Sequence, residues 1–352
     1  MASSSNMKLL KQLKFDFPVQ AHAFNADRSR VAISHYKTSI HEDAYNIFIY
    51  ETSSVKAKLL CKLPMHISTV KCLDWSKKGN KILSCSTDMN CYVWEESSKN
   101  QWNKVMVQGI LRFSASICRW SPDEKYLVLG SVSGNLCICS YVPQYNWWAA
   151  KKFKDQTSAI MDIKWSPNSE YFAIACADRF FKLFKVSSAP KPIFSLVSPY
   201  YGFTTSVAFN ASGNLIASVS QDSSITIYDI SKDAEKPSHK TTLLDTACMT
   251  AIAFIDDKTI IASGFNQQFY CYTVQNDLSV VMQSMFGGAS QSDSNVMNAM
   301  QKFKNMDFKG TSEATGSAAS KTLHKKHIND IIVDKNTFSA SSYDNSITIW
   351  SR

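Results

Sequence analysis

A near-constant period of 44 to 45 residues constrains this chain more than any other feature. Trp75, Trp120, Trp165, Phe209 and Phe254 follow one another at separations of 45, 45, 44 and 45. Tyr50, Trp94, Cys139, Phe184, Tyr228 and Tyr272 form a second series, at 44, 45, 45, 44 and 44. Between these anchors each copy reads strand, turn, strand, turn, strand. Ile-Thr-Ile-Tyr at 225–228 and Ile-Thr-Ile-Trp at 347–350 alternate with the two-residue period of a strand and are rich in β-branched residues. Ser-Pro-Asp at 121–123 and Ser-Pro-Asn at 166–168 supply turn chemistry after the first strand. Asp88, Asp178, Asp222 and Asp344 each lie six residues before the terminal aromatic, in the turn before the third strand.

Repeats of about 40–45 residues with four strands each are the pattern of WD-repeat propeller blades. Six clear copies and a degenerate one over 21–51 predict an all-β chain, a single seven-bladed WD-repeat β-propeller over residues 1–352. The last copy ends at Arg352, directly after its third strand, so its fourth strand must come from elsewhere. Lys8-Leu9-Leu10 precedes Phe24 by 16 residues much as Lys58-Leu59-Leu60 precedes Trp75 by 17. An N-terminal strand around Leu9 to Phe15 is therefore expected to complete the last blade. Closure of this kind removes an open sheet edge.

Composition narrows the function classes. The ten cysteines are scattered and none forms a Cys-x-x-Cys pair, so no zinc spacing is present. Most sit in apolar, strand-like runs, where a free thiol acts as a small hydrophobe and a reducing compartment is expected. No run approaches the roughly 18 apolar residues of a membrane span, and residues 1–17 do not read as a secretory signal. The expectation is a cytoplasmic protein. The formal net charge of +9 favours acidic partners. The basic residues are dispersed, with only small clusters at Lys151, Lys152 and Lys154 and at Lys325 and Lys326. That reads as a solvated basic surface rather than a nucleic-acid site.

Two constellations imitate catalytic trios: His66, Ser86 and Asp88, with Trp94, and His327, Ser342 and Asp344, with Trp350. In WD repeats a histidine before the first strand, a serine on the second, the turn aspartate and the terminal tryptophan form a buried hydrogen-bond network that fixes the blade. A nucleophile would also need an oxyanion site and an accessible pocket, and neither is indicated. His324 and His327 have a metal-like spacing but no nearby cysteine. Gly287 and Gly288 lack the Lys-Ser/Thr of a phosphate loop. No catalytic residue, metal site or cofactor is expected, and the chain reads as a non-enzyme.

The third-strand series breaks once. Tyr272 and Trp350 are 78 residues apart, 34 more than one period, which predicts an insert over roughly 285–320 between blades 6 and 7. Its ends are rich in Gly, Ser and other small polar residues. Its middle, about 295–308, places Val296, Met300 and Phe303 at helical spacing, with Met297 and Met306 nearby and Ser292, Asp293 or Ser294 as a candidate N-cap. A Met-rich amphipathic helix of this kind suits a partner's groove. The alternatives are a helix folded back on its own propeller, or a long disordered loop.

Specific residues then point to a family. Residues 111–152, with Cys118-Arg119-Trp120-Ser121-Pro122, the Cys137-Ile138-Cys139 strand and Asn146-Trp147-Trp148, resemble the WD-repeat subunit of the actin-related protein 2/3 complex. Lys302-Phe303-Lys304-Asn305-Met306-Asp307 resembles that family's insert helix, at the same place between blades. The resemblance implies a structural subunit in a cytoplasmic machine that starts branched actin filaments. It implies, as partners, the other subunits with their two actin-related proteins, the actin filament and the acidic tails of nucleation-promoting factors. It also implies that Val296, Met297, Met300, Phe303 and Met306 reach the mother filament. The competing expectation is a WD-repeat adaptor of another assembly, a ubiquitin-ligase substrate receptor or a chromatin reader, because propellers host many roles.

Overall fold

The computed structural model describes residues 7–36, 45–54, 57–107, 113–153, 158–187, 191–288 and 322–352. Among them are twenty-eight strands, numbered β1 to β28 in chain order, arranged as seven four-stranded antiparallel sheets. The innermost strands are β2 (Val19–Phe24), β6 (Val70–Trp75), β10 (Ala115–Trp120), β14 (Ile160–Trp165), β18 (Thr204–Phe209), β22 (Met249–Phe254) and β26 (Ile328–Asp334). Each of these packs beside the innermost strand of the next sheet, and β2 packs against β26 and β27 (Thr337–Ser342), so the row closes into a ring. The chain is a seven-bladed β-propeller.

Six blades are simple meanders. The seventh takes its outer strand, β1 (Lys8–Lys14), from the start of the chain. It lies antiparallel to β28 (Ser346–Ser351), in register from Lys8 opposite Ser351 to Lys14 opposite Ser346. The expected closing strand is therefore present.

Burial explains why the two-residue alternation is muted within a blade. The middle and inner strands are covered by a neighbouring blade on each face, and all six residues of β2 and of β23 (Thr259–Gly264) are buried. Such strands select apolar or small residues at every position. Outer strands meet solvent, and there polarity returns. The seven outer strands are β1, β5 (Lys58–Leu63), β9 (Gln101–Met106), β13 (Trp147–Phe153), β17 (Phe194–Val197), β21 (Ser238–Leu243) and β25 (Val280–Phe286). Together they carry nine lysines and no Asp or Glu. Edge lysines discourage strand-to-strand aggregation, because an incoming strand would have to desolvate them.

One irregularity recurs in every blade. The pairing of the first two strands slips at Val19/Ala21, Val70/Cys72, Ala115/Ile117, Ile160/Asp162, Thr204/Ser206, Met249/Ala251 and Ile328/Asp330. A bulge at the same place seven times bends each inner strand where it meets the channel.

The insert boundary needs correction. Met285 and Phe286 are not part of a loop but the end of β25. Phe286 is held by ring contacts with Phe269 at 5.2 Å and Trp350 at 5.1 Å, which fix it between blades 6 and 7. The strand ends at Gly287, whose positive φ of 84° suits glycine. Gly287 O accepts a hydrogen bond from Leu323 N at 3.0 Å, so the two ends of the insert meet at one point. Val296, Met297, Met300, Phe303 and Met306, and the helix expected over 295–308, lie outside the described residues.

Candidate functional site

The constellations that imitate triads are built into blades 2 and 7. In blade 2, β7 (Lys81–Ser86) and β8 (Cys91–Ser98) are joined by a turn carrying Asp88. His66 Nδ1 lies 2.9 Å from Asp88 Oδ2, and His66 Nε2 lies 2.9 Å from Ser84 Oγ. The Trp94 indole N–H donates to the same Ser84 Oγ at 2.9 Å. The other Asp88 oxygen accepts from Asn90 N at 2.9 Å and so closes the turn. Burial pushes the Asp88 carboxyl up. The hydrogen bond and charge of His66, with the N–H groups of Asn90 and Ile67, outweigh that and hold it below the usual carboxylate range.

The network serine is therefore Ser84, not Ser86. Both lie on one face of β7 by strand alternation, but Trp94 stands opposite Ile82, two residues from Ser84 and four from Ser86. Ser86 instead donates to Ser68 O at 3.0 Å and accepts from Asp88 N at 3.1 Å. In blade 7 the histidine is His324, not His327. His324 Nδ1 lies 3.1 Å from Asp344 Oδ2, and its Nε2 lies 2.9 Å from Thr348 Oγ1. His324 stands four residues before β26, as His66 stands four before β6, whereas His327 stands one before and points elsewhere. The His327 ring packs on Tyr343 at 4.9 Å and Phe265 at 5.2 Å. Ser342 donates to Lys326 O at 2.9 Å, the counterpart of the Ser86 bond. Trp350 Nε1 has no hydrogen-bond partner among the described residues.

Asp344 lies in the wall of an open cavity of about 550 Å³ and Trp94 in the wall of another of about 670 Å³, but the histidines and hydroxyls line neither. His66 and Ser84 are buried, as are His324 and Thr348. The Ser84 and Thr348 hydroxyls are occupied by structural partners. Among the described residues no group of three or more His, Cys, Asp or Glu could hold a metal ion. No helix among them is long and apolar enough to cross a membrane.

The channel is polar and carries several paired charges. Asp330 on β26 faces Arg119 of β10 at 3.5 Å and Lys164 of β14 at 3.8 Å. Asp162 of β14 lies 3.9 Å from Lys164 and accepts from Ser206 Oγ of β18 at 2.6 Å. Asp74 of β6 accepts from Trp120 N at 2.7 Å. Blades 2, 3, 4, 5 and 7 are thus tied across or around the channel by charged groups that would be costly if left single. This work is structural, and the periodicity could not display the Asp330 contacts, because they join residues from non-adjacent repeats.

The Asn146-Trp147-Trp148 run has a local explanation. Asn146 takes the left-handed conformation, φ 49°, after the short 3-10 turn Pro143–Tyr145, and accepts from Tyr141 OH at 2.7 Å. Trp148 is buried and meets Trp120 edge-on at 5.3 Å. Trp147 is on the other face of β13, 39% exposed and beside the more exposed Tyr145. One tryptophan packs the blade; its neighbour offers an aromatic surface at the rim.

Fold, blade networks and closure together define a WD-repeat β-propeller. The WD domain, G-beta repeat, matches residues 57–95, 148–185 and 191–229. Each match spans the outer strand of one blade and three strands of the next, so the sequence repeat is offset from the blade by one strand. Over nearly its whole length the chain is similar to actin-related protein 2/3 complex subunit 1A-B of Xenopus laevis, 27% identical over 95% of this chain and 94% of the relative. It is similar to subunit 1 of Schizosaccharomyces pombe, 25% identical over 99% and 100%, and to subunit 1A of Arabidopsis thaliana, 26% identical over 96% and 95%. The chain is thus a WD-repeat β-propeller that is similar, over nearly its whole length, to this family of subunits.

Proposed function

We propose that the chain is a non-catalytic structural subunit of the actin-related protein 2/3 complex, supporting the nucleation of branched actin filaments in the cytoplasm. The observation that carries this reading is end-to-end similarity to proteins named for that subunit in an animal, a fungus and a plant. The paired channel charges and the structural use of the hydroxyls in the triad-like constellations agree with a scaffold rather than an enzyme. Nothing favours a ubiquitin-ligase receptor or a chromatin reader.

Two finer roles belong to the same reading. The insert, anchored where Gly287 meets Leu323, presents Val296, Met297, Met300, Phe303 and Met306 to the side of a mother filament. Eight of the nine outer-strand lysines lie on the consecutive blades 7, 1, 2 and 3, at Lys8, Lys11, Lys14, Lys58, Lys62, Lys104, Lys151 and Lys152. This one-sided basic rim, with Trp147 and Tyr145 exposed beside it, suits the acidic tails of nucleation-promoting factors.

Gentle purification from the protein's own cells tests the main reading. Elution far above 39.5 kDa with two actin-related proteins in near-equal amounts supports it; a lone propeller or unrelated partners overturns it. For the insert, Met300→Asp with Phe303→Asp is expected to leave the assembly intact and weaken branch formation. Unchanged branching would remove the insert from the mechanism.

A further inference from the structure

Blade 2 contains a row of cysteines that the scaffold role does not use. Cys72 on β6 stands directly opposite Cys85 on β7, and Cys85 opposite Cys91 on β8. Cys118, on β10 of blade 3, packs against this row. Cys118 Sγ lies 3.7 Å from Cys72 O. Cys72 Sγ lies 3.3 Å from Cys118 O. All four cysteines are free and buried.

Cys72 differs from the others in two ways. It lines a channel cavity of about 130 Å³, with Arg119, Asp162 and Asp330 among the other walls, a space large enough for water-sized molecules. The Arg119 guanidinium lies directly against its Sγ. A cation against a sulfur that borders a small polar cavity is the setting in which a thiolate persists and meets small oxidants. Burial pushes the Cys72 thiol up, but the thiol hydrogen bonds from Cys118 and Cys85 and the Arg119 charge outweigh it and hold it well below the ordinary thiol value. Cys118 and Cys85 are pushed well above that value, by burial first.

We propose that Cys72 is a peroxide-reactive thiol and that Cys118 resolves its oxidised form, creating a disulfide between blades 2 and 3. The Cys72 thiolate attacks the terminal oxygen of hydrogen peroxide. The O–O bond breaks, an S–O bond forms, and hydroxide leaves, giving a sulfenic acid. Cys118 sulfur then displaces the sulfenic oxygen. The S–S bond forms, the S–O bond breaks, and the Cys118 proton leaves with that oxygen as water. Two electrons pass from the two sulfurs to one peroxide molecule. The inference is independent of the proposed assembly.

The test treats the purified full-length chain with hydrogen peroxide and maps each cysteine by mass spectrometry, with dimedone present to trap sulfenic acid. Cys61 and Cys248, which are more exposed, serve as internal references. Cys72 is expected to react before both, and the unreduced digest to contain a Cys72–Cys118 cross-link. Cys118→Ser should replace the cross-link by a dimedone adduct on Cys72, with thermal melting showing that the variant is folded. Arg119→Gln should slow oxidation of Cys72 several-fold while Arg119→Lys largely restores it. Oxidation of Cys61 or Cys248 ahead of Cys72 overturns the proposal. A Cys72–Cys85 link in place of the expected one overturns the role given to Cys118.

Discussion

Blades 2 and 7 start from the same parts and finish differently. Each has a histidine four residues before its inner strand, bound to the turn aspartate, and each ends its third strand in tryptophan. In blade 2 the Ser84 hydroxyl bridges His66 and Trp94. In blade 7 the matching position is Ala340: Trp350 stands opposite Phe338 as Trp94 stands opposite Ile82, and Ala340 lies two residues further on. His324 turns to Thr348 instead, and the Trp350 indole is held by rings alone, with Phe338 stacked at 6.1 Å and Phe286 at 5.1 Å. A polar network and an aromatic stack thus hold the same residue in the same place. Blade 7 can dispense with the bridge because Phe286 arrives from blade 6, beside the point where the insert departs.

Truncating either tryptophan should be costly. Trp94→Ala and Trp350→Ala should each lose about 3–5 kcal/mol in denaturant unfolding, since both are large buried side chains. A much smaller loss at Trp350 would mean that the aromatic stack does not replace the network.

Acid should strike the closure seam. His22 of blade 1 is buried, with Nε2 3.0 Å from Ser339 Oγ of blade 7. Burial lowers its pKa from 6.5 to about 4, Arg28, Arg119 and Lys164 add to the shift, and Asp330 opposes it. Because the folded value is the lower one, the unfolded chain binds a proton first as pH falls. Stability is therefore full above about pH 6.5 and is lost progressively toward pH 4, by on the order of 3 kcal/mol. His22→Gln should flatten the stability profile over that window; an unchanged profile would assign the acid sensitivity to other groups. Asp88 and Asp344, both held below the usual carboxylate range, add their loss at still lower pH.

The serine bridge gives the sharpest test. Ser84→Ala leaves His66 Nε2 and the Trp94 N–H buried without a partner and should cost about 1–3 kcal/mol. The reciprocal Ala340→Ser supplies the missing hydroxyl below Trp350 and should gain about 1 kcal/mol or less. Equal effects of opposite sign would make the two blades interchangeable; loss of stability in Ala340→Ser would mean that the blade 7 core has no room for the hydroxyl.

Much of this was legible in the chain itself. The repeat period, the turn aspartates and the terminal aromatics are local, so the seven blades and the N-terminal closing strand could be read directly. The spacing of His66 to β6, applied to the last repeat, points to His324 from the sequence alone. Ser84 against Ser86 was harder. Strand alternation puts both on one face, and only the cross-strand register to Trp94 separates them.

What the sequence determined by itself is the set of blades, because each depends on patterns within about 45 residues. Tertiary structure decided what lies between repeats: the Arg119–Asp330 contact across the channel, the sulfur row shared by blades 2 and 3, and the Phe286 ring that makes a hydroxyl at position 340 unnecessary. These contacts join residues from different repeats. Their geometry follows from the closure of the ring, which no single repeat encodes.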